Sequence, residues 1–198
     1  MNYNVIAIEC EYASGGSEIG GELAARLGIP CYDKEVLEKA VVRIGMSVSE
    51  LENLEEFMTG SFLYGIAMLA NINSGDGSGL NDAQRLSLAE SDVVRNFSLA
   101  PCVIVSRLAT AVLRDDNKAL KVFIRADYET RKERAIRIYQ NDPKQTDTIL
   151  NRYDKRRAAY YKATAGEDWK NPNLYHMILD SGKLGINGVV ELLYNCAK

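Results

Sequence analysis

The chain has 198 residues, 46% of them hydrophobic and 26% charged, enough for one complete globular core. A net charge of −3 and a sequence pI of about 5.4 argue against a general nucleic-acid binder. One histidine, His176, excludes a His-rich metal site, and four scattered cysteines (Cys10, Cys31, Cys102, Cys196) read as free, partly buried thiols.

In chain order, Val5-Ile6-Ala7-Ile8 is an apolar run of buried-strand length, with no charged leader before it. Glu9 to Ser17 follows as a turn of mostly small residues, and Ile19, Leu23 and Leu27 then recur on one helical stripe. Such a strand, loop and helix form the front of a phosphate-binding βα unit. The unpartnered N–H groups and the dipole at a helix N-terminus favour an anion, and Gly15 and Gly16 let backbone approach it. The match to G-x-x-x-x-G-K-[ST] is partial. Cys10 stands at the first glycine, Gly15 and Ser17 match, and Gly16 stands where the lysine belongs. A plain strand-to-helix turn is the competing reading.

Gly28-Ile29-Pro30 stops this helix, and Cys31-Tyr32 is briefly extended. Asp33 is suited to cap a helix from Lys34 to Ile44 with Val36, Leu37, Ala40, Val41 and Ile44 buried. An acidic helical piece begins near Ser47 or Ser49, and Phe57 to Ile72 reads as an apolar helix, either deeply buried or at a two-fold dimer interface. The longest apolar stretch, Phe62 to Ile72, is broken by Gly65 and too short to span a bilayer, so no membrane association and a cytoplasmic location are expected. Asn73 to Gly79 is a linker by composition, without a strand to feed it.

A helix from Asn81 to Ser98 precedes a second apolar strand, Cys102 to Val105. A helix from Leu108 to Leu113, a strand from Leu120 to Ile124, a strand from Tyr175 to Leu179 and a helix from Gly185 to Cys196 complete the pattern. Continuous apolar strands separated by helices imply an α/β protein: three layers, a parallel sheet with helices on both faces. Residues 1–198 read as one domain, with a helical insertion over about 33–100.

In such a sheet ligands lie beyond the C-terminal strand ends, which selects Glu9 to Ser17, Ser106-Arg107 and Arg125 to Asp127. Arg107, directly after a strand, is placed to grip a phosphate through two parallel hydrogen bonds. From Arg125 to Lys162, eleven Lys/Arg stand against six Asp/Glu, either a local anion site or a solvated charged helix. Within it, Arg131 or Arg134 is a ligand candidate, the neighbouring glutamates accounting for the rest by intrahelical pairing. The basic cluster Arg152 to Lys162 fits a mobile lid better than a nucleic-acid surface. Trp169 and His176 read as structural.

The runs Ala7 to Ile19, Leu27 to Glu35, Ile104 to Arg107, Asp154 to Lys162, Asp168-Trp169 and Ser181 to Ile186 together resemble the bacterial cytidylate kinase-like family. The resemblance implies the phosphate-loop, nucleoside-monophosphate kinase fold with a helical substrate-binding insertion and an arginine lid over about 143–170. It also implies ATP as donor with Mg²⁺, and a nucleotide acceptor, guessed as a pyrimidine monophosphate. By that analogy Ser14, Gly15, Gly16 and Ser17 cradle donor phosphates, and Asp33, Arg107 and Arg131 or Arg134 hold the acceptor. Arg156 and Arg157 then join Arg107 at the transferring phosphate. Departures are Gly16 for the lysine, Ser17 where the family often has arginine, Ala13 for a glycine and Leu108 for an aspartate. No cation lies in the loop itself, while Ser17 offers Mg²⁺ a hydroxyl. A kinase, a nucleotide-binding regulator without transfer activity and a structural or assembly protein are the three functions left open.

Overall fold

The computed structural model describes residues 2–45 and 82–198. The strands are β1 (Val5–Cys10), β2 (Cys31–Tyr32), β3 (Cys102–Val105), β4 (Ala119–Arg125) and β5 (Met177–Asp180). The helices are α1 (Gly16–Leu27), α2 (Lys34–Arg43), α3 (Asp82–Phe97), α4 (Ala109–Val112), α5 (Tyr128–Arg137), α6 (Thr146–Ala165) and α7 (Ser181–Ala197). The five strands form one parallel sheet in the order β2-β3-β1-β4-β5. β1 is central, its Ile8 aligned with Val105 on one side and Val122 on the other. The expected acidic piece near Ser47, the apolar helix Phe57 to Ile72 and the linker Asn73 to Gly79 lie outside the described residues.

The period-two alternation of a strand decides which residues meet which layer. Ile6, Ile8 and Cys10 pack with Ile19 and Leu23 of α1 and Val189 and Leu193 of α7. Val5 and Ala7 pack on the opposite face with Val36, Ala40 and Val41 of α2 and Val93 and Val94 of α3. Glu9 continues this second series, so its side chain enters the layer that holds α4 and α6. A third cluster there joins Phe123, Tyr160, Tyr161, Trp169 and Tyr175 beneath α6. α1 sits so close to β3 that a Cβ on Gly20 would lie 2.5 Å from Val105 Cγ2.

Several boundaries differ from the sequence reading for local reasons. β1 extends to Cys10 because its ladder with β4 continues through Cys10 and Ile124, so Glu9 and Cys10 belong to the strand, not the turn. The last strand starts at Met177, since Tyr175 closes a short 3₁₀ turn over Pro172–Leu174. The closing helix starts at Ser181, because the Asp180 side chain accepts from the N–H groups of Gly182 and Lys183, and Gly185 then marks a kink (φ +69°, ψ 163°). Asp33 occupies the N-cap position of α2, yet its side chain makes no capping hydrogen bond. His176 fills a structural position: its N–H donates to Lys121 O at 2.8 Å and its Nδ1 accepts from Lys121 N at 3.2 Å. Burial and the charge of Lys121 lower its pKa, and that accepting nitrogen carries no proton. All four cysteines are free thiols.

Candidate functional site

The sheet order reverses around β1, with β3 on one side and β4 on the other, and a crevice opens beyond the strand ends at such a point. The turn from Glu11 to Gly15 fills its floor. Ser14 is wholly buried; its hydroxyl is shared between the carbonyls of Glu11 (2.8 Å) and Ile124 (3.2 Å), and its own carbonyl accepts from Ser181 Oγ at 2.6 Å. Ala13 (φ +60°) and Gly15 (φ +86°) are both left-handed, which swings the chain into α1. The first helical bond runs from Ile19 N to Gly15 O at 2.9 Å. The N–H groups of Gly15, Gly16, Ser17 and Glu18 therefore find no acceptor among the described residues. Ser17 is exposed at this edge, whereas the Ser14 side chain serves the turn itself. Gly16 is a packing requirement: a Cβ there would lie 2.5 Å from Cys10 Sγ.

Helices far away in sequence bring three guanidinium groups to this turn. Arg131, 6% exposed, donates to Asp154 Oδ2 (2.8 Å) and Tyr12 O (3.3 Å), with its Nε 3.5 Å from Glu11 Oε2. Glu11 also receives Lys170 Nζ at 2.6 Å, and Tyr12 stacks on Tyr153 with centroids 4.2 Å apart. Arg134 donates from Nε to Ala13 O (3.1 Å), pairs with Glu18 at 2.6 Å, and comes within 3.1 Å of where a Cβ on Gly15 would stand. Arg157 donates to Cys10 O and lies 3.4 Å from Cys10 Sγ. Burial works against its charge, but Cys10, Asp154 and Asp33 outweigh this and raise its pKa. Asp33 and Arg157 thus share one electrostatic environment at the strand ends.

The expected lid pair diverges, because adjacent residues on a helix point about 100° apart. Arg157 turns inward to β1, while Arg156 faces with Thr148, Asn151, Arg152 and Lys155 onto a cavity of about 520 Å³. Arg107, after β3, lies over the ring of Tyr160 with its guanidinium carbon 5.0 Å from the centroid. Tyr160 in turn donates to Glu90 Oε2 at 2.6 Å. Burial, then the nearby Glu90, raise the Tyr160 pKa well above its ordinary value.

The sequence reading overlooked Glu9. This residue is 2% exposed, with Thr110 Oγ1 on one carboxyl oxygen and Tyr175 OH 3.0 Å from the other. Burial pushes its pKa up to about 8, against the weaker opposing pull of Thr110, Tyr175 and Arg157. The Tyr175 hydroxyl also contacts Trp169 O, so Glu9 Oε2 and Trp169 O compete for its one proton. An acidic residue in phase with Val5 and Ala7 was the available signal.

Comparison with known proteins bears on the family and the fold. The profile of the cytidylate kinase-like family matches residues 5–183. The chain belongs to that family. A crystal structure of an uncharacterized protein from Eubacterium ventriosum superposes with a TM-score of 0.69 at 21% identity, over 98% of this chain and 97% of that one. Shikimate kinase from Bacteroides thetaiotaomicron gives 0.56 at 14% identity, over 97% of each chain. Shikimate kinase from Acinetobacter baumannii, solved with shikimate, gives 0.55 at 12%, over 98% of this chain and 92% of that one. These likenesses establish a phosphate-loop kinase fold. No curated protein matches the chain significantly.

The residues present fit the groups this family implies. The N–H groups of Gly15 to Glu18, unbonded to other backbone groups, lie beside Arg134 and are donors of the type a polyphosphate needs. No cluster of three acidic, His or Cys side chains among the described residues would hold a metal by itself. Mg²⁺ takes water and phosphate oxygens as most of its ligands, and the exposed Ser17 hydroxyl is one protein oxygen that would be open to it. Among the described residues no helix is long and apolar enough to cross a membrane.

Proposed function

We propose that the chain is a phosphotransferase that moves the terminal phosphate of ATP to a nucleoside monophosphate such as CMP, or to another small anionic acceptor. The observation that carries this reading is the row of N–H groups from Gly15 to Glu18 with Arg134 beside it, which restores a cation where Gly16 replaces lysine. Gly15, Gly16 and Ser17 bind donor phosphates, Ser14 builds the turn under them, and Ser17 shares Mg²⁺ with those phosphates. Arg107 holds the acceptor phosphate, Asp33 lies on the acceptor side near Arg157, and Arg156 is the lid cation. Arg131 acts as a brace between the turn and α6, since Asp154 and Tyr12 O already engage it.

In the transfer, the bond from the γ-phosphorus to the ADP oxygen breaks, a bond to the acceptor oxygen forms, and ADP leaves. A monophosphate acceptor is already ionised near neutrality (second pKa about 6), so no general base is needed. The Glu9 carboxyl is enclosed and engaged by Thr110 and Tyr175, and an anionic acceptor asks no base of it. A second reading, nucleotide binding without transfer, draws on the engagement of Arg134 by Glu18 and Ala13 O. Purified protein with ATP, Mg²⁺ and each nucleoside monophosphate, assayed for ADP release and diphosphate formation, separates the two. Turnover that falls at least tenfold in Arg134→Ala supports the kinase; nucleotide binding with no turnover on any acceptor supports the regulator.

A further inference from the structure

Arg107 is flanked and underlain by one buried hydrogen-bonded unit. Glu90 of α3 is 1% exposed, and its two carboxyl oxygens serve two different elements. Oε1 accepts from Ser106 Oγ at 3.0 Å, at the end of β3, and Oε2 accepts from Tyr160 OH at 2.6 Å, on α6. Ser106 Oγ also accepts from Leu108 N at 3.3 Å, so the backbone on both sides of Arg107 is tied to the same carboxyl group. Tyr160 is 4% exposed, and its ring is the surface on which the Arg107 guanidinium lies. An arginine has many rotamers, and a fixed aromatic face beneath it selects among them. The hydroxyl bond to Glu90 helps fix that face, beside a hydrogen bond between Tyr160 and Ser87.

We propose that Glu90 is a positioning residue for Arg107. It locks Tyr160 and Ser106 and through them aims the guanidinium at the anionic group of the acceptor. The second half rests on the reading of Arg107 as the acceptor's anchor, so the test separates the two. In ¹⁵N-labelled protein the Nε–Hε signal of Arg107, assigned with Arg107→Lys, is displaced upfield by the Tyr160 ring. Glu90→Gln and Tyr160→Phe move it towards the position of an unstacked arginine. In calorimetric titrations with CMP, Glu90→Gln weakens binding about tenfold while ATP affinity holds, and adds nothing further in an Arg107→Ala background. If Glu90→Gln does not fold, Tyr160→Phe, which removes one oxygen, carries the same test. An Arg107 signal unmoved in the variants overturns the proposal, as does a CMP loss of equal size with and without Arg107. A signal that moves in a protein that binds no monophosphate leaves the positioning role standing and removes the acceptor reading.

Discussion

Glu9 occupies the central strand's C-terminal end, where burial raises its pKa from 4.5 to about 8. A carboxyl whose folded value lies above its unfolded value binds its proton more tightly in the native state. Its stabilising contribution is complete below about pH 4.5 and is lost as pH rises to about 8. Denaturant titrations at pH 5, 6, 7 and 8 should show stability falling by at most about 1.4 kcal/mol per pH unit from this group. Glu9→Gln should remove that slope, leaving a flatter profile; equal slopes in both proteins would place the titration elsewhere. Arg156 and Arg157 call for different outcomes. Arg157→Ala takes the guanidinium from Cys10 O and should cost about 2–3 kcal/mol of stability and weaken ATP binding. Arg156→Ala should cost less stability than Arg157→Ala yet lower kcat on the order of a thousandfold, as loss of an arginine finger does. Calorimetry beside steady-state kinetics checks both, and equal effects on stability would merge the roles.

At the scale of elements, the turn between β1 and α1 is built by side-chain and backbone geometry that tolerates little change. Ala13 holds a left-handed φ of +60°, which costs an L-residue roughly 1–2 kcal/mol. Ala13→Gly should therefore leave the protein as stable or raise its stability by up to about 1 kcal/mol. Gly16→Ala should do the reverse, because the added methyl meets Cys10 Sγ at 2.5 Å beneath the helix. Overpacking of that kind costs about 1–3 kcal/mol. Midpoints of urea unfolding for the two variants decide the matter, and a neutral Gly16→Ala would mean that the Cys10 side chain yields. α5 and α6 close over the same turn through Arg131, Asp154 and Glu11, so an error in the turn is transmitted to both helices.

For the whole molecule, the proposed phosphate-binding turn and Arg107 follow strands at the C-terminal edge of one sheet, and ligands there would tie that edge together. ATP at a hundred times its Kd should add about 2.7 kcal/mol to unfolding stability, with Mg²⁺ increasing the affinity. CMP should add a separate increment, and Arg107→Ala should abolish the CMP increment while keeping that of ATP. Scanning calorimetry with each ligand alone and together measures this; loss of both increments in Arg107→Ala would show a single shared site.

By itself the sequence determined the strands, their parallel arrangement and the helix-opening turn. Those features follow from local patterns: apolar runs at Val5, Cys102 and Leu120, and glycines at Gly15 and Gly16. The spacing of Arg131, Arg134 and Arg137 likewise placed them on one helix and singled out Arg131 or Arg134 as a ligand, without deciding between those two. Only the tertiary structure separated them: Arg131 beneath the turn, Arg134 beside Gly15 and Arg137 paired with Glu133 on the surface. The same holds for Glu9, Glu90 and Arg157, whose partners lie 101, 70 and 147 residues away. Local periodicity states which side of an element a residue occupies. What stands opposite that side is decided by how α3, α5 and α6 dock on the sheet, and that docking is what brings Arg134 beside the turn.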